Sequence, residues 1–148
     1  MFDRYGREIR GMRISITQKC NLRCLYCHNE GQKKSDGEMS PKEIERIVGI
    51  GKRIGIRKLK ITGGEPLLRN DVVEIVEKVS RHIDDISMTT NGILLGKYID
   101  ALKNAGLDRV NISLDSLNPE TYKYVTGVNN VQQVIEGIKT AAKIMPVK

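Results

Sequence analysis

Lys58-Leu59-Lys60-Ile61-Thr62 runs without a break into Gly63-Gly64-Glu65-Pro66. Five residues alternate polar and apolar with the period of a half-buried strand, and two glycines and a proline then end it. The same figure recurs along the chain. Residues 12–17 (MRISIT) run into a loop holding three cysteines, residues 86–90 (ISMTT) into Asn91-Gly92, and residues 109–114 (RVNISL) into Asp115. Residues 146–148 (PVK) look like the first residues of a fifth strand.

Helical periodicity fills the gaps. Ser40-Pro41-Lys42-Glu43 is a capping box with proline at the first helical position, ahead of Ile44, Ile47, Val48, Ile50 and Ile54. Asp71 and Glu74 open a second helix along Val72, Val73, Ile75, Val76 and Val79. A third carries Tyr98, Ile99, Leu102 and Ala105, with Gly106 where a C-terminal cap belongs, and a fourth carries Val131, Val134, Ile135, Ile138 and Ala142. Gly49, Gly51 and Gly55 vaguely suggest a dinucleotide loop, but they lie within the first helical pattern and follow no strand. Strands alternating with helices predict an α/β fold with a parallel sheet and right-handed crossovers.

The strands should be apolar almost throughout if helices covered both faces of the sheet. They alternate instead. Met12, Ile14 and Ile16 oppose Arg13, Ser15 and Thr17, Leu59 and Ile61 oppose Lys58, Lys60 and Thr62, and Ile86 and Met88 oppose Ser87, Thr89 and Asn91. In the fourth strand Val110, Ile112 and Leu114 oppose Arg109, Asn111, Ser113 and Asp115. Helices on the apolar side leave a polar concave face, a wet lumen in place of the packed interior of a closed barrel. Arg13, Lys58 and Lys60 load that face with cations, expected near the strand ends where loops gather.

At 148 residues the chain has room for about one domain with a proper core. Hydrophobic residues make up 39% and charged ones 29%, which excludes disorder, and no apolar run approaches the roughly 20 residues of a membrane span. The charged start of the chain shows no export signal, so a cytoplasmic location is expected. The net charge of +7 suits an anionic partner, but six aromatics, no Trp and no Lys/Arg block argue against nucleic acid.

Cys20, Cys24 and Cys27 are the only cysteines. An odd number so tightly spaced cannot be a disulfide framework, and clustered thiols read as a metal or cluster site. A zinc site with His28 as fourth ligand requires adjacent Cys27 and His28 to chelate together. Cys24-Leu25-Tyr26-Cys27-His28 also has the spacing of a c-type haem attachment, a chemistry that follows export. The thiols can also simply pack without a ligand. The remaining reading is a [4Fe–4S] cluster on three thiolates, with one iron left open.

CX3CX2C after a strand, an aromatic Tyr26 before the third cysteine, and Gly63-Gly64-Glu65-Pro66 one βα unit later together resemble the radical S-adenosylmethionine (SAM) enzymes. The likeness narrows to the GTP 3′,8-cyclase family of molybdenum cofactor biosynthesis. It rests on Asp3-Arg4-Tyr5-Gly6-Arg7, Cys27-His28-Asn29-Glu30-Gly31, residues 62–69 (TGGEPLLR), residues 89–92 (TTNG) and residues 111–116 (NISLDS). The resemblance covers essentially residues 1–148. It implies the N-terminal part of a (β/α)6 half-barrel, a partial TIM-like barrel, without the C-terminal part that carries a second cluster in the family.

By position, the resemblance implies that Cys20, Cys24 and Cys27 ligate a [4Fe–4S] cluster. Tyr26, Gly64 and Ser113 then match SAM-contacting positions, and Arg13, Lys60, Thr89 and Lys148 match GTP-contacting ones. Lys60 stands where many members have Arg, so a bidentate fork is lost. One electron delivered to the cluster would cleave SAM to a 5′-deoxyadenosyl radical, which takes the C3′ hydrogen of GTP before the sugar closes onto C8 of guanine. No side-chain acid or base is nominated. The implied partners are GTP, SAM and an electron donor such as ferredoxin or flavodoxin, with no membrane and with a homodimer as an option. Another nucleotide or a peptide as substrate, or a zinc-bearing nucleic-acid module, are the competing readings.

Overall fold

The computed structural model describes residues 2–27 and 37–148. Strand β1 (Gly11–Ser15) is followed by helix α1 (Pro41–Arg53), β2 (Lys58–Thr62), a short 3-10 turn (Pro66–Leu68) and α2 (Val72–Ser80). Then come β3 (Asp85–Thr90), α3 (Leu95–Asn104), β4 (Arg109–Ile112), α4 (Pro119–Thr126) and α5 (Val131–Ala141). The four strands form one parallel sheet in the order β1-β2-β3-β4, so each crossover places the next strand beside the last. The sheet is not closed, and the architecture is the expected α/β partial barrel with helices on one side.

The apolar strand positions do what their spacing predicts. Leu59, Ile61, Ile86, Met88 and Val110 are buried and pack with Ile44 and Val48 of α1, Val72, Ile75, Val76 and Val79 of α2, and Leu95, Ile99 and Leu102 of α3. Burying each such side chain contributes about 1.5–3 kcal/mol. A second cluster of Leu22, Ile93, Tyr122, Val131 and Val134 fastens the cysteine loop to α4 and α5. The α1 capping box forms in full, with the Ser40 side chain accepting from Glu43 N and the Glu43 carboxylate accepting from Ser40 N. Gly106, just past α3, takes φ +103°, and a Cβ there would stand 2.6 Å from Ser80 Cβ.

Several boundaries differ from the sequence reading. β4 ends at Ile112, two residues early, and β1 begins at Gly11 and stops at Ser15. The expected fifth strand is a single parallel bridge between Val110 and Val147, and its backbone bonds tie Lys148 to Val110 and Ile112. Asp71 sits at the N-cap of α2 but makes no capping bond, because Arg69 holds its carboxylate. Helix α4 has no counterpart among the predicted helices, although Asn118 caps it and Gly127 ends it at φ +79°.

Three residues assigned to the wet face are instead enclosed, and Asn91, 7% exposed, is one of them. Thr17 lies beyond the end of β1 and is 3% exposed, its hydroxyl donating to the Glu38 carboxylate. Ser87 is 2% exposed, and its hydroxyl donates to the Leu59 carbonyl of the neighbouring strand.

Candidate active site

Parallel strands deliver all their C-terminal ends to one edge of the sheet, and the loops that leave them meet there. A cavity of about 200 Å³ opens at that edge. Its walls include Cys20, Cys24, Tyr26 and Cys27 from the loop after β1, Gly63 and Gly64 from the loop after β2, Thr89 and Asn91 at the end of β3, and Ser113 and Asp115 after β4. All three cysteines are free thiols. Burial pushes the Cys20 and Cys24 thiols above their ordinary range, with nearby negative groups acting in the same direction.

The cysteine loop owes its position to backbone pairing. Gly64 N donates to Thr17 O at 2.9 Å and Glu65 N to Lys19 O at 2.7 Å, so the glycine loop lies directly against the chain leading into Cys20. A Cβ on Gly64 would stand 2.4 Å from Lys19 O, and one on Gly63 would stand 2.7 Å from Thr17 O. The two glycines therefore permit contact between two backbones. The Gly64 and Glu65 amides are both taken by that contact and are not free to donate to a ligand. On the far side, Arg23 N and Leu25 N donate to Thr126 O and Val125 O at the end of α4, both at 2.9 Å.

Glu65 is fully buried and takes no part in the cavity wall. Its carboxylate accepts from Leu67 N at 3.0 Å, the Thr90 hydroxyl at 2.8 Å and Asn91 N at 2.7 Å. Burial raises its pKa, and the three hydrogen bonds work against that rise. The Asn91 amide in turn donates to Asn21 Oδ1 at 2.7 Å, next to Cys20. One carboxylate thus joins the loops after β2 and β3, and Asn91 extends the link to the loop after β1. Motif reading passed over this tie, because its partners lie 26 and 70 residues apart.

Tyr26 reaches across the mouth, its phenol 3.0 Å from both Asp115 carboxylate oxygens. Burial and the Asp115 charge push the phenol well up, so it stays protonated as the donor.

The cationic residues lie lower on the same face. Arg13 pairs with Lys60, Lys60 with Ser87, and Ser87 with Arg109, in one row across four strands. This row lines a separate hollow of about 280 Å³ with Gly11, Met12, Lys58 and Leu59. At roughly 3.3 Å per residue, Lys60 lies about 7 Å along β2 from Thr62, where the cavity wall begins. The expectation that Arg13, Lys58 and Lys60 crowd the loop-bearing strand ends is therefore corrected. Lys58 begins β2 at the opposite edge and forms an ion pair with Asp85 at 3.4 Å, and the Asp85 carboxylate also bonds Arg109. Lys148 follows the Val110–Val147 bridge, which sets it opposite Asn111, one row above Arg109.

The donor set suits a cluster. Three thiols share one wall, and among the described residues no three Cys, His, Asp or Glu side chains gather closely enough to clasp a single metal ion. Three thiolates from one short loop are the kind of donor set that an iron–sulfur cluster takes. His28, Asn29, Glu30 and Gly31 lie outside the described residues, and with them the fourth ligand of the zinc reading.

A partial parallel barrel whose first loop brings three thiols against a double-glycine turn defines the class of radical SAM proteins. Residues 14–148 match the family described as the Radical SAM superfamily, and the chain belongs to it. Membership brings a [4Fe–4S] cluster and SAM as cofactors, and the thiol-lined cavity fits that pair. A probable GTP 3′,8-cyclase of Thermococcus kodakarensis is 52% identical over 100% of this chain and 49% of its own length. One from Methanococcus maripaludis is 57% identical over 97% of this chain and 49% of its own length. The chain spans about half the length of the curated relatives it matches. Among solved structures, Streptococcus suis SuiB bound to S-adenosylmethionine superposes with TM-score 0.83 at 22% identity, covering 93% of this chain and 32% of SuiB. Methylornithine synthase (PylB) gives 0.76 at 16% identity over 93% of this chain and 42% of its own. These two likenesses bear on the fold alone.

Proposed function

We propose that this chain is the N-terminal part of the (β/α)6 half-barrel of a GTP 3′,8-cyclase. Such an enzyme converts GTP to (8S)-3′,8-cyclo-7,8-dihydroguanosine 5′-triphosphate, the first step of molybdenum cofactor biosynthesis. The reading is carried by one observation: in a chain 52–57% identical to probable GTP 3′,8-cyclases, a three-thiol cavity stands above a row of cations on one sheet face. The second cluster of the family would belong to a C-terminal part beyond this chain.

When bound, the cluster and SAM supply one-electron cleavage of a carbon–sulfur bond and, from it, abstraction of a hydrogen atom. The protein's own work is to bind, orient and exclude water. Cys20, Cys24 and Cys27 would hold the cluster, and three thiolates would leave one iron open for SAM. Tyr26, Gly64 and Ser113, all in the wall of the same cavity, would contact SAM. Arg13 and Lys60 take the anionic part of GTP, with Lys148 one row nearer the cavity and Thr89 in its wall. Lys60 contributes a point charge where an arginine would make a fork. No described residue needs to move a proton for the hydrogen transfer. The electron comes from an external ferredoxin or flavodoxin, and free thiols at such a site suit the reducing cytoplasm. Among the described residues no helix is long and apolar enough to cross a membrane.

The test is anaerobic EPR of the reconstituted, reduced chain with and without SAM. A [4Fe–4S] signal that changes shape with SAM is expected, and the Cys24→Ala variant should cleave no SAM. A cluster indifferent to SAM, or cleavage unchanged in that variant, would overturn the assignment. GTP should then protect the chain against heat where other nucleoside triphosphates do not.

A further inference from the structure

Arg69 closes the TGGEPLLR stretch, and the cavity does not include it. Its side chain is 7% exposed. Nη1 donates to Ile16 O at 2.7 Å and to Met39 O at 2.9 Å, while Nε and Nη2 form a fork on the Asp71 carboxylate at 2.7 and 2.6 Å. Ile16 is the last residue before the cysteine loop departs, and Met39 is where the chain returns to meet the Ser40 cap of α1. One guanidinium nitrogen therefore holds both feet of the segment that bears Cys20, Cys24 and Cys27. A second stitch lies immediately inside it, where the Thr17 hydroxyl donates to Glu38.

A buried guanidinium is costly unless all its donors are used, and here two carbonyls and one carboxylate use four of five. We infer that Arg69, held by Asp71, is a positioning residue of the cluster-binding loop: it sets the distance between the loop's feet and, together with the backbone pairing of residues 17–25, the place at which the three thiols stand. Closing a long loop costs entropy that grows only slowly with its length. A single charge-assisted clamp at the base is thus an efficient way to fix where the loop leaves and rejoins the fold. Lysine cannot replace it, since an ammonium reaches the carbonyls or the carboxylate without spanning both in one plane.

The inference rests on the reading that the three cysteines hold a cluster, and the experiment separates the two. Hydrogen exchange is followed by mass spectrometry in the full chain and in Arg69→Leu, Arg69→Lys and Asp71→Asn. Amides of residues 17–27, several of which are paired to α4 and to the loop itself, should exchange at least tenfold faster in Arg69→Leu. Peptides from α3 and β4 should stay within twofold, and Arg69→Lys should fall between the two. In the reconstituted protein, iron should be lost to a chelator at least tenfold faster. Exchange in residues 17–27 within twofold of wild type in every variant overturns the inference, as does acceleration spread evenly over the sheet. If Arg69→Leu does not fold, Arg69→Lys and Asp71→Asn are judged by the same criteria. If the wild-type chain takes up no cluster, the cluster reading fails, and exchange alone decides the clamp.

Discussion

Replacing Gly64 with alanine is a direct test of how the site is assembled. The added Cβ would stand 2.4 Å from Lys19 O and 2.8 Å from Gln18 O, both backbone atoms with no rotamer to yield. An ordinary carbon–oxygen contact needs about 3.3–3.6 Å, so one loop must retreat by about 1 Å. That retreat breaks the bonds from Gly64 N to Thr17 O and from Glu65 N to Lys19 O, now 2.9 and 2.7 Å. Two net hydrogen bonds at about 0.5–1.5 kcal/mol each and overpacking strain of about 1–3 kcal/mol give a loss of about 2–6 kcal/mol. For a domain of this size the melting temperature should fall on the order of 10 °C. The matched control is Gly96→Ala in α3, where a Cβ meets nothing within 4 Å and a gain of about 0.5–1 kcal/mol is expected. Thermal melts by circular dichroism read both, and anaerobic titration with SAM reads the site. A Gly64→Ala chain that melts within 2 °C of wild type and binds SAM normally would refute the close-approach argument.

Glu65→Gln should cost about 1–3 kcal/mol near neutral pH, because one carboxylate oxygen becomes an NH₂ turned toward a backbone or hydroxyl donor. Burial raises the Glu65 pKa in the folded chain, so wild type gains stability as pH falls from that raised value toward the unfolded one of 4.5. Glutamine gains none, and the deficit in paired urea melts should widen on going from pH 7.5 to pH 5; a deficit that shrinks would contradict the raised pKa. At Asp85, burial works upward, but Arg109 and Lys58 outweigh it and hold the carboxyl below its usual range. Its contribution is therefore present above the unfolded carboxylate pKa of about 3.9 and is lost as pH falls through the lower folded value. Asp85→Asn should cost about 1 kcal/mol at pH 7, allowing for screening at a partly exposed pair, and progressively less as the pH is lowered below the unfolded value.

The strands and most helices were legible because burial imposes a period that a single sequence displays. β2 begins and ends where the alternation says, and the α1 cap lies where Ser40 and Glu43 place it. Helix α4 escaped because its pattern is weak: Tyr122 and Thr126 are buried, but Tyr124 is 75% exposed, and only Asn118, Pro119 and Gly127 mark its ends. The cavity-lining residues Cys20, Cys24, Cys27, Tyr26, Gly64, Thr89 and Ser113 were nameable from motifs, and the structure brings them to one cavity. Arg13, Lys60 and Lys148 share the sheet face but not that cavity. Distance along the strand explains this, since parity assigns a residue to a face without saying how far along it the ligand lies.

What the motifs could not show are the ties between loops. Glu65 reads as part of a ligand-binding turn and Arg69 as its trailing cation, yet both are buried, and their partners are carbonyls, amides and hydroxyls far along the chain. Such partners carry no sequence signature, since every residue has a carbonyl. The reason for spending buried charge here follows from the sheet. The apolar face can order strands and helices by packing, but loops at the C-terminal edge have ligands on one side and solvent on the other. Hydrophobic burial holds them only in part, through Leu22, Leu67 and Ile93, and neutral hydrogen bonds are each worth only about 1 kcal/mol. Bonds to a carboxylate or guanidinium are roughly twice as strong and directional, and each charge fixes three or four donors or acceptors at once. Glu65 fixes the loops after β2 and β3 to each other, Asn91 passes that tie to the cysteine loop, and Arg69 fixes both feet of that loop. The two glycines then let these backbones meet at hydrogen-bond distance, and the wall of the cavity follows from those contacts.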